Sequence, residues 1–109
     1  MEDETTRSGA DDPLFIPTTR PDWSLLSHHG IVLFLLAVRP NLTLRQISSL
    51  TGFTERTLYS IIRDLEESAM VKAERSGRSK VYTVNVEAHF RHPMFAKATV
   101  GDVFKVLQA

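Results

Sequence analysis

Two arginines in the segment from residue 54 to residue 63 are the side chains best suited to reading another molecule. Arg56 and Arg63 are seven residues apart, which is about two turns of a helix, so on a helix they project from one face. An arginine can donate two hydrogen bonds to O6 and N7 of guanine, worth about 1–3 kcal/mol of discrimination. Hydroxyl groups that can donate to bases or phosphates accompany them, on Thr54, Thr57, Tyr59 and Ser60.

Two further residues near this segment have a candidate role in DNA contact. Glu55 can accept a hydrogen bond from a cytosine amino group, although an acid at a helix start also interacts with the helix dipole. Arg45 is placed to contact a backbone phosphate. The alternative for Arg63 is a local ion pair with Glu66 or Glu67, three or four residues along the same helix.

The histidines are the other candidates for chemistry, and they favour neither a metal site nor catalysis. His28 and His29 are adjacent, so on a helix they point about 100° apart and cannot share a metal. His89 and His92 are better spaced, but no cysteine exists in the chain and no carboxylate lies beside them. We therefore expect no metal and no cofactor; a hydrolase or nuclease that uses this second pair is a remote alternative.

The segment from residue 43 to residue 65 predicts two helices joined by a tight turn. Thr43 and Gln46 fit a capping box at the start of the first helix. Gly52 can take the left-handed conformation that ends it, and Thr54 can cap the second. One apolar stripe follows at helical spacing, formed by Leu58, Ile61, Ile62 and Leu65. This pattern is a helix-turn-helix, which places its second helix in the major groove of DNA.

A basic β-hairpin is predicted directly after the second of these helices. Residues 70–75 and 80–86 alternate with a two-residue period, and residues 76–79 form a turn in which Gly77 can take a positive φ. The cations around this glycine are Arg75, Arg78 and Lys80. They would act on phosphates by charge, the alternative being a solvated surface hairpin.

Two more helices are predicted at the ends of the domain. One should begin near Pro21 and end ahead of Pro40, with Gly30 as a candidate break. Because it is apolar almost all round, we expect it to be central and also to touch a partner. The other, near the C-terminus, is amphipathic. The residues assigned to a dimer interface are Phe34, Val100, Val103, Phe104 and Leu107; the alternative is that the last helix closes its own core.

Length and charge limit the classes of function. The chain has 109 residues and no net charge, enough for one domain with a small core. Residues 1–12 hold five acids and one arginine, net −4, so the remainder holds +4; local positive charge is typical of DNA binders. The longest apolar run, residues 31–38, is too short to cross a membrane, and no signal peptide is visible, so a cytoplasmic protein is the default.

Residues 23–109 resemble the small bacterial and archaeal winged helix-turn-helix regulators related to the MarR and ArsR groups. The matching stretches are HHGIVLFLLAVRP, TLRQISSLTGFTERTLYSIIRDLEES, RSGRSKVYTV and RHPMFAKATVGDVFKVL. The resemblance implies a homodimeric transcription factor with its wing on the DNA backbone or minor groove. Ala69 stands where these families usually carry glycine, and a left-handed alanine costs about 1–2 kcal/mol, so we expect the recognition helix to end differently here.

These observations predict a mostly α fold with a small β-hairpin, a winged helix-turn-helix with a C-terminal amphipathic helix. Residues 1–13 would be a disordered acidic tail, residues 14–98 the DNA-binding domain and residues 99–109 a dimerisation helix. The expected function is sequence-specific binding of double-stranded DNA by a homodimeric regulator, not an enzyme. The alternative is a winged-helix module that binds a protein instead of DNA. The sequence does not indicate a small-molecule effector.

Overall fold

The computed structural model describes residues 24–108. The acidic tail expected at residues 1–13 and the helix start expected near Pro21 lie outside this range. The elements, in chain order, are α1 (His28–Val38), α2 (Leu44–Thr51), α3 (Glu55–Glu67), β1 (Val71–Ser76), β2 (Ser79–Val84), a 3₁₀ helix (Pro93–Phe95) and α4 (Val100–Gln108). The described part is mostly helical with a two-stranded antiparallel sheet. This arrangement is compatible with a winged helix.

Helix α1 is shorter at its start than the sequence pattern predicted. The Ser27 hydroxyl accepts a hydrogen bond from the Gly30 N–H at 3.1 Å and caps the helix, which therefore begins at His28. Residues 24–27 are not helical and Gly30 lies within an unbroken helix. The prediction that the helix already includes residues 24–27 is wrong, because a serine cap starts the helix at His28. The candidate break at Gly30 is not present, and the helix ends ahead of Pro40 as predicted.

Helix α2 begins and ends on the predicted residues, and helix α3 begins on its predicted residue. The Thr43 hydroxyl accepts from the Gln46 N–H at 3.1 Å, and the Gln46 side chain accepts from the Thr43 N–H at 2.8 Å. Gly52 ends α2 with a φ of 83°, and the Thr54 hydroxyl accepts from the Thr57 N–H at 3.1 Å. Side-chain caps thus fix both helix starts, as the sequence predicted.

Helix α3 ends through Ala69 in the left-handed conformation, with a φ of 62°. The expectation that an alanine would prevent this ending is wrong. Two hydrogen bonds hold the chain reversal at Ala69: the Met70 N–H donates to the Leu65 carbonyl at 2.8 Å, and the Asn85 side-chain amide donates to the Ala69 carbonyl at 3.2 Å. Burial of Val71 directly after the reversal adds to them. These contacts offset a backbone strain of about 1–2 kcal/mol.

The hairpin is antiparallel with Gly77 at its turn, and each strand is shifted slightly from the predicted bounds. Strand register pairs Val71 with Val84 and Ser76 with Ser79, so the turn has two central residues. Gly77 has a φ of 65° and comes first, as in a type II′ turn. Residues that are paired across the two strands lie on the same face of the hairpin. The face that is buried at the base of the hairpin is therefore also the face that carries basic residues near the turn.

One hydrophobic core joins α1, α2, α3 and the base of the hairpin. Val32, Leu36, Ile47 and Leu58 are each fully buried in it. In α1 the five consecutive residues 32–36 are buried, which agrees with the expectation of a central helix. Within residues 24–108, no helix has the length and apolar character needed to span a membrane.

Helix α4 docks onto the segment that follows β2 through backbone hydrogen bonds. The Val100 N–H donates to the Ala88 carbonyl and the Gly101 N–H to the Val86 carbonyl, both at 2.8 Å. A Cβ atom on Gly101 would lie 2.9 Å from that Val86 oxygen, so the close approach requires glycine. Thr99 caps the helix reciprocally with Asp102, and this hydrogen bonding lowers the pKa of the exposed carboxyl.

Two residues assigned to the dimer interface lie instead in the core of the chain itself. Phe34 is 8% exposed and Val100 is 2% exposed, so neither offers surface to a partner. Of the remaining three, Val103 and Phe104 are half-buried and Leu107 is exposed. The first turn of α4 thus packs on the core of its own chain, which is the alternative that the sequence left open. The exposed apolar residues of the helix lie after this turn.

Candidate nucleic-acid interface

A groove of about 890 Å³ runs between the start of α2, the outer face of α3 and the hairpin. Eight of the eleven residues expected to contact DNA line it: Arg45, Arg56, Tyr59, Ser60, Arg63, Arg75, Arg78 and Lys80. These residues come from three elements that are separated along the chain. The tertiary fold therefore brings the candidate base-reading arginines and the cations of the hairpin to one surface.

The exposure of the α3 face follows from the strong amphipathic pattern of this helix. Leu58, Ile61, Ile62 and Leu65 are each at most 5% exposed and anchor the helix to the core. The opposite side carries Tyr59, which is 68% exposed. Because the buried stripe fixes the rotation of the helix about its axis, the polar residues between these positions must face solvent.

The charge of the groove is strongly positive. Six of its lining residues are cations and one, Glu66, is an acid, so the formal charge is 6 − 1 = +5. Ion pairs elsewhere in the described chain join His29 to Asp64 at 2.8 Å and Lys72 to Glu74 at 3.7 Å. Within residues 24–108 none of the six groove cations forms an ion pair, so the alternative pairing of Arg63 with a neighbouring glutamate does not occur there. The positive charge remains available to an anion.

Three residues of the expected DNA contact set do not line the groove. Thr54, Glu55 and Thr57 lie at the exposed start of α3. The Thr54 hydroxyl caps the helix and also donates to the Thr57 hydroxyl at 3.0 Å, while Glu55 occupies the first turn, where a negative charge is favourable. Local helix capping accounts for these side chains, and their exposure leaves them open to further contacts.

Some groove residues were missed by the sequence reasoning. Asn41, Thr43, Glu66, Ser79 and Tyr82 also line the groove. The signal for Tyr82 was available, because residues 80, 82 and 84 share one face of a strand. The two-residue alternation of residues 80–86 predicts only that Tyr82 lies on an apolar face of the strand. The structure shows it 6% exposed and at the groove.

The pKa of the Tyr82 hydroxyl is raised, first by burial and then by the negative charges of Glu66 and of the Tyr59 phenolate form. Both of those residues line the groove, so the hydroxyl lies on the groove side of the sheet. A tyrosine phenol is protonated at neutral pH even at its ordinary pKa, so this hydroxyl is a hydrogen-bond donor there.

The four histidines have local contacts. His29 bonds Asp64, and the His28 ring packs on Phe53 with centroids 4.4 Å apart. His89 Nδ1 bonds the Ala96 carbonyl at 2.7 Å, and His92 Nδ1 accepts from the Met94 N–H at 3.1 Å. Among the described residues, no three potential metal ligands come together.

No protein-family model, curated protein or solved structure matches this chain in the three comparisons made. The resemblance to the MarR and ArsR groups therefore rests on the sequence motifs alone.

Proposed function

We propose that this chain is a sequence-specific DNA-binding transcriptional regulator with a winged helix-turn-helix fold that acts as a homodimer. The observation that carries the proposal is the convergence on one groove, beside the exposed face of α3, of six cations that form no ion pair within residues 24–108. A polyanion with a regular phosphate spacing matches this arrangement better than a small anion does. Helix α3 would enter the major groove of DNA while the hairpin follows the backbone.

Base reading is assigned to the outer face of α3. Arg56 and Arg63 are exposed, lie on one side of the helix and form no ion pair within the described chain. A guanidinium in this state can place two donors on a guanine edge. Arg45 and the three hairpin cations would contact phosphates, which position the protein without reading sequence.

The dimer is proposed from the exposed apolar residues of the C-terminal segment. Val106 is 74% exposed and Leu107 is 53% exposed on α4, and Met94 and Phe95 of the preceding 3₁₀ helix are 79% and 59% exposed. Exposed apolar surface of this kind marks partner sites. A second copy would double the modest number of phosphate contacts made by one chain and so raise affinity.

The decisive experiment is selection of bound duplexes from a random pool. We expect enrichment of an inverted repeat whose half-sites are about 10–10.5 base pairs apart, as for other dimers that use a recognition helix. An unenriched pool, together with no duplex affinity in a fluorescence titration at low salt, would reject the proposal.

The second candidate is a winged-helix module that binds an acidic protein. It is favoured by the apolar side chains Leu42, Leu44 and Ile62, which also line the cationic groove and would suit a peptide. The same titration separates the two candidates, because a protein-binding module is expected to show no affinity for any duplex, whereas the proposed regulator must bind one.

A further inference from the structure

The hairpin places two like charges directly opposite each other at the groove. Strand register pairs Arg75 with Lys80, and both residues line the groove. Directly opposed like charges destabilise a sheet. Within residues 24–108 neither cation has a carboxylate partner, so an anion bound between the two side chains would relieve their repulsion.

Tyr82 lies beside this pair on the same face of the hairpin. It is two residues from Lys80 along β2, so the two side chains project to the same side. Its ring is buried, with 6% of the residue exposed. Its hydroxyl forms no hydrogen bond within the described residues, although its backbone N–H donates to the Pro40 carbonyl at 3.2 Å.

A tyrosine hydroxyl that has no acceptor among the described residues can donate to a ligand in the groove that its side chain lines. The nearby acid, Glu66, also lines the groove, but no hydrogen bond joins it to the phenol. Its negative charge raises the pKa of Tyr82 instead. The hydroxyl, which is a hydrogen-bond donor at neutral pH, faces the groove and forms no hydrogen bond with any of the groove's acceptors among the described residues.

We propose that Tyr82, Arg75 and Lys80 together bind one phosphate group of the DNA backbone, with the Tyr82 hydroxyl as the hydrogen-bond donor that fixes its position. The two cations supply positive charge, and the phenol, whose ring is held in place by burial, supplies a hydrogen bond of fixed direction. This inference rests on the proposed function. It assigns to Tyr82 a positioning role that is independent of base sequence.

The test compares Tyr82→Phe with the wild-type full-length chain on the selected duplex. Phenylalanine keeps the buried ring and removes only the hydroxyl. We expect duplex affinity to fall about tenfold, the order expected for a lost hydrogen bond to a charged group, with no change in the salt slope because a neutral donor releases no counterion. Lys80→Gln should instead lower the salt slope by about 0.9 for each subunit of the dimer.

The matched control is Thr83→Val, which removes one hydroxyl from the same strand. Thr83 is exposed and lies on the opposite face, outside the groove, so its loss should leave affinity unchanged. Thermal melting excludes misfolding: because the Tyr82 hydroxyl has no partner in the described chain, Tyr82→Phe should melt at the wild-type temperature or above it.

Replacing single backbone phosphates with neutral methylphosphonates locates the contact. One position in each half-site should weaken wild-type binding and have a much smaller effect on Tyr82→Phe. Equal duplex affinity of wild type and Tyr82→Phe would overturn the inference while the proposed function stands. Absence of duplex binding by the wild type would reject both.

A titration with thymidine 5′-monophosphate separates the two sources of phosphate. We expect this mononucleotide to bind weakly and without discrimination between wild type and Tyr82→Phe at concentrations that saturate the duplex. A mononucleotide site that depends on Tyr82, with duplex binding unaffected by the variant, would show that the pocket serves a free anion and would overturn the assignment to DNA.

Discussion

Arg56 and Ala69 show how much can depend on single residues in α3 and its C-terminal turn. The first is exposed on the groove side with no ion pair in the described chain, and the second holds a left-handed conformation that only glycine adopts without strain. One residue is placed for contact with a ligand and the other is strained by the fold. Each can be tested by one substitution.

Arg56→Ala should weaken binding to the selected duplex by about 1–3 kcal/mol, because a bidentate contact with guanine is lost. Nonspecific binding should fall much less. A gel-shift competition between specific and random duplexes measures the difference. Arg91→Ala is the control, since Arg91 is exposed but lies outside the groove. An unchanged ratio of specific to random affinity would rule out base reading by Arg56.

Ala69→Gly should raise the free energy of unfolding by about 1 kcal/mol, since a positive φ is strained for alanine and not for glycine. Chemical denaturation provides the measurement. Ala73→Gly is the matched control: Ala73 lies in β1 without a positive φ, so glycine there should destabilise. If both variants lost stability, the left-handed turn at Ala69 would not be strained.

At the scale of elements, helix α4 depends on a close backbone approach. Gly101 donates a hydrogen bond to the Val86 carbonyl, and a Cβ atom in its place would lie 2.9 Å from that oxygen. Gly30, within α1, meets only contacts of 3.5 Å or more. The packing around Gly101 therefore excludes a larger residue, whereas the packing around Gly30 leaves room for one.

Gly101→Ala should therefore destabilise the protein although alanine favours a helix. Gly30→Ala should have the opposite sign, a gain of about 0.5–1 kcal/mol from reduced backbone entropy in the unfolded chain. Thermal melting of the two variants checks both signs. A more stable Gly101→Ala would contradict the docking of α4 on the segment after β2.

At the scale of the whole molecule, the proposed homodimer calls for a test that leaves the core of each chain intact. Removing the last helix would also remove Val100, which is buried in the core, so truncation confuses folding with association. Substitution on the exposed side of α4 avoids this problem, because Val106 and Leu107 contribute little to the core of one chain.

The double variant Val106→Asp with Leu107→Asp should sediment as a monomer and bind the selected duplex much more weakly than the wild type, since doubled phosphate contacts are lost. Analytical ultracentrifugation gives the oligomeric state. Gln108→Asp adds charge at a neighbouring exposed position and should remain dimeric. A dimeric double variant would place the interface elsewhere.

The sequence alone determined the local structure of residues 43–65. The capping residues Thr43 and Thr54, the turn at Gly52 and the apolar stripe of α3 each encode a contact within a few residues, so residue type and spacing suffice to predict them. A two-residue period of apolar residues predicted the hairpin, and the helical period of the apolar stripe predicted which side of α3 would face solvent.

Only the tertiary structure decided which distant residues meet. It placed Arg45 at the same groove as the hairpin cations, buried Phe34 and Val100 within one chain, and set at the groove the Tyr82 hydroxyl, which has no partner among residues 24–108. It also forced Ala69 into a left-handed turn. The physical reason is that core packing fixes how helices and strands lie against one another, whereas periodicity in a sequence specifies only which side of each element is apolar.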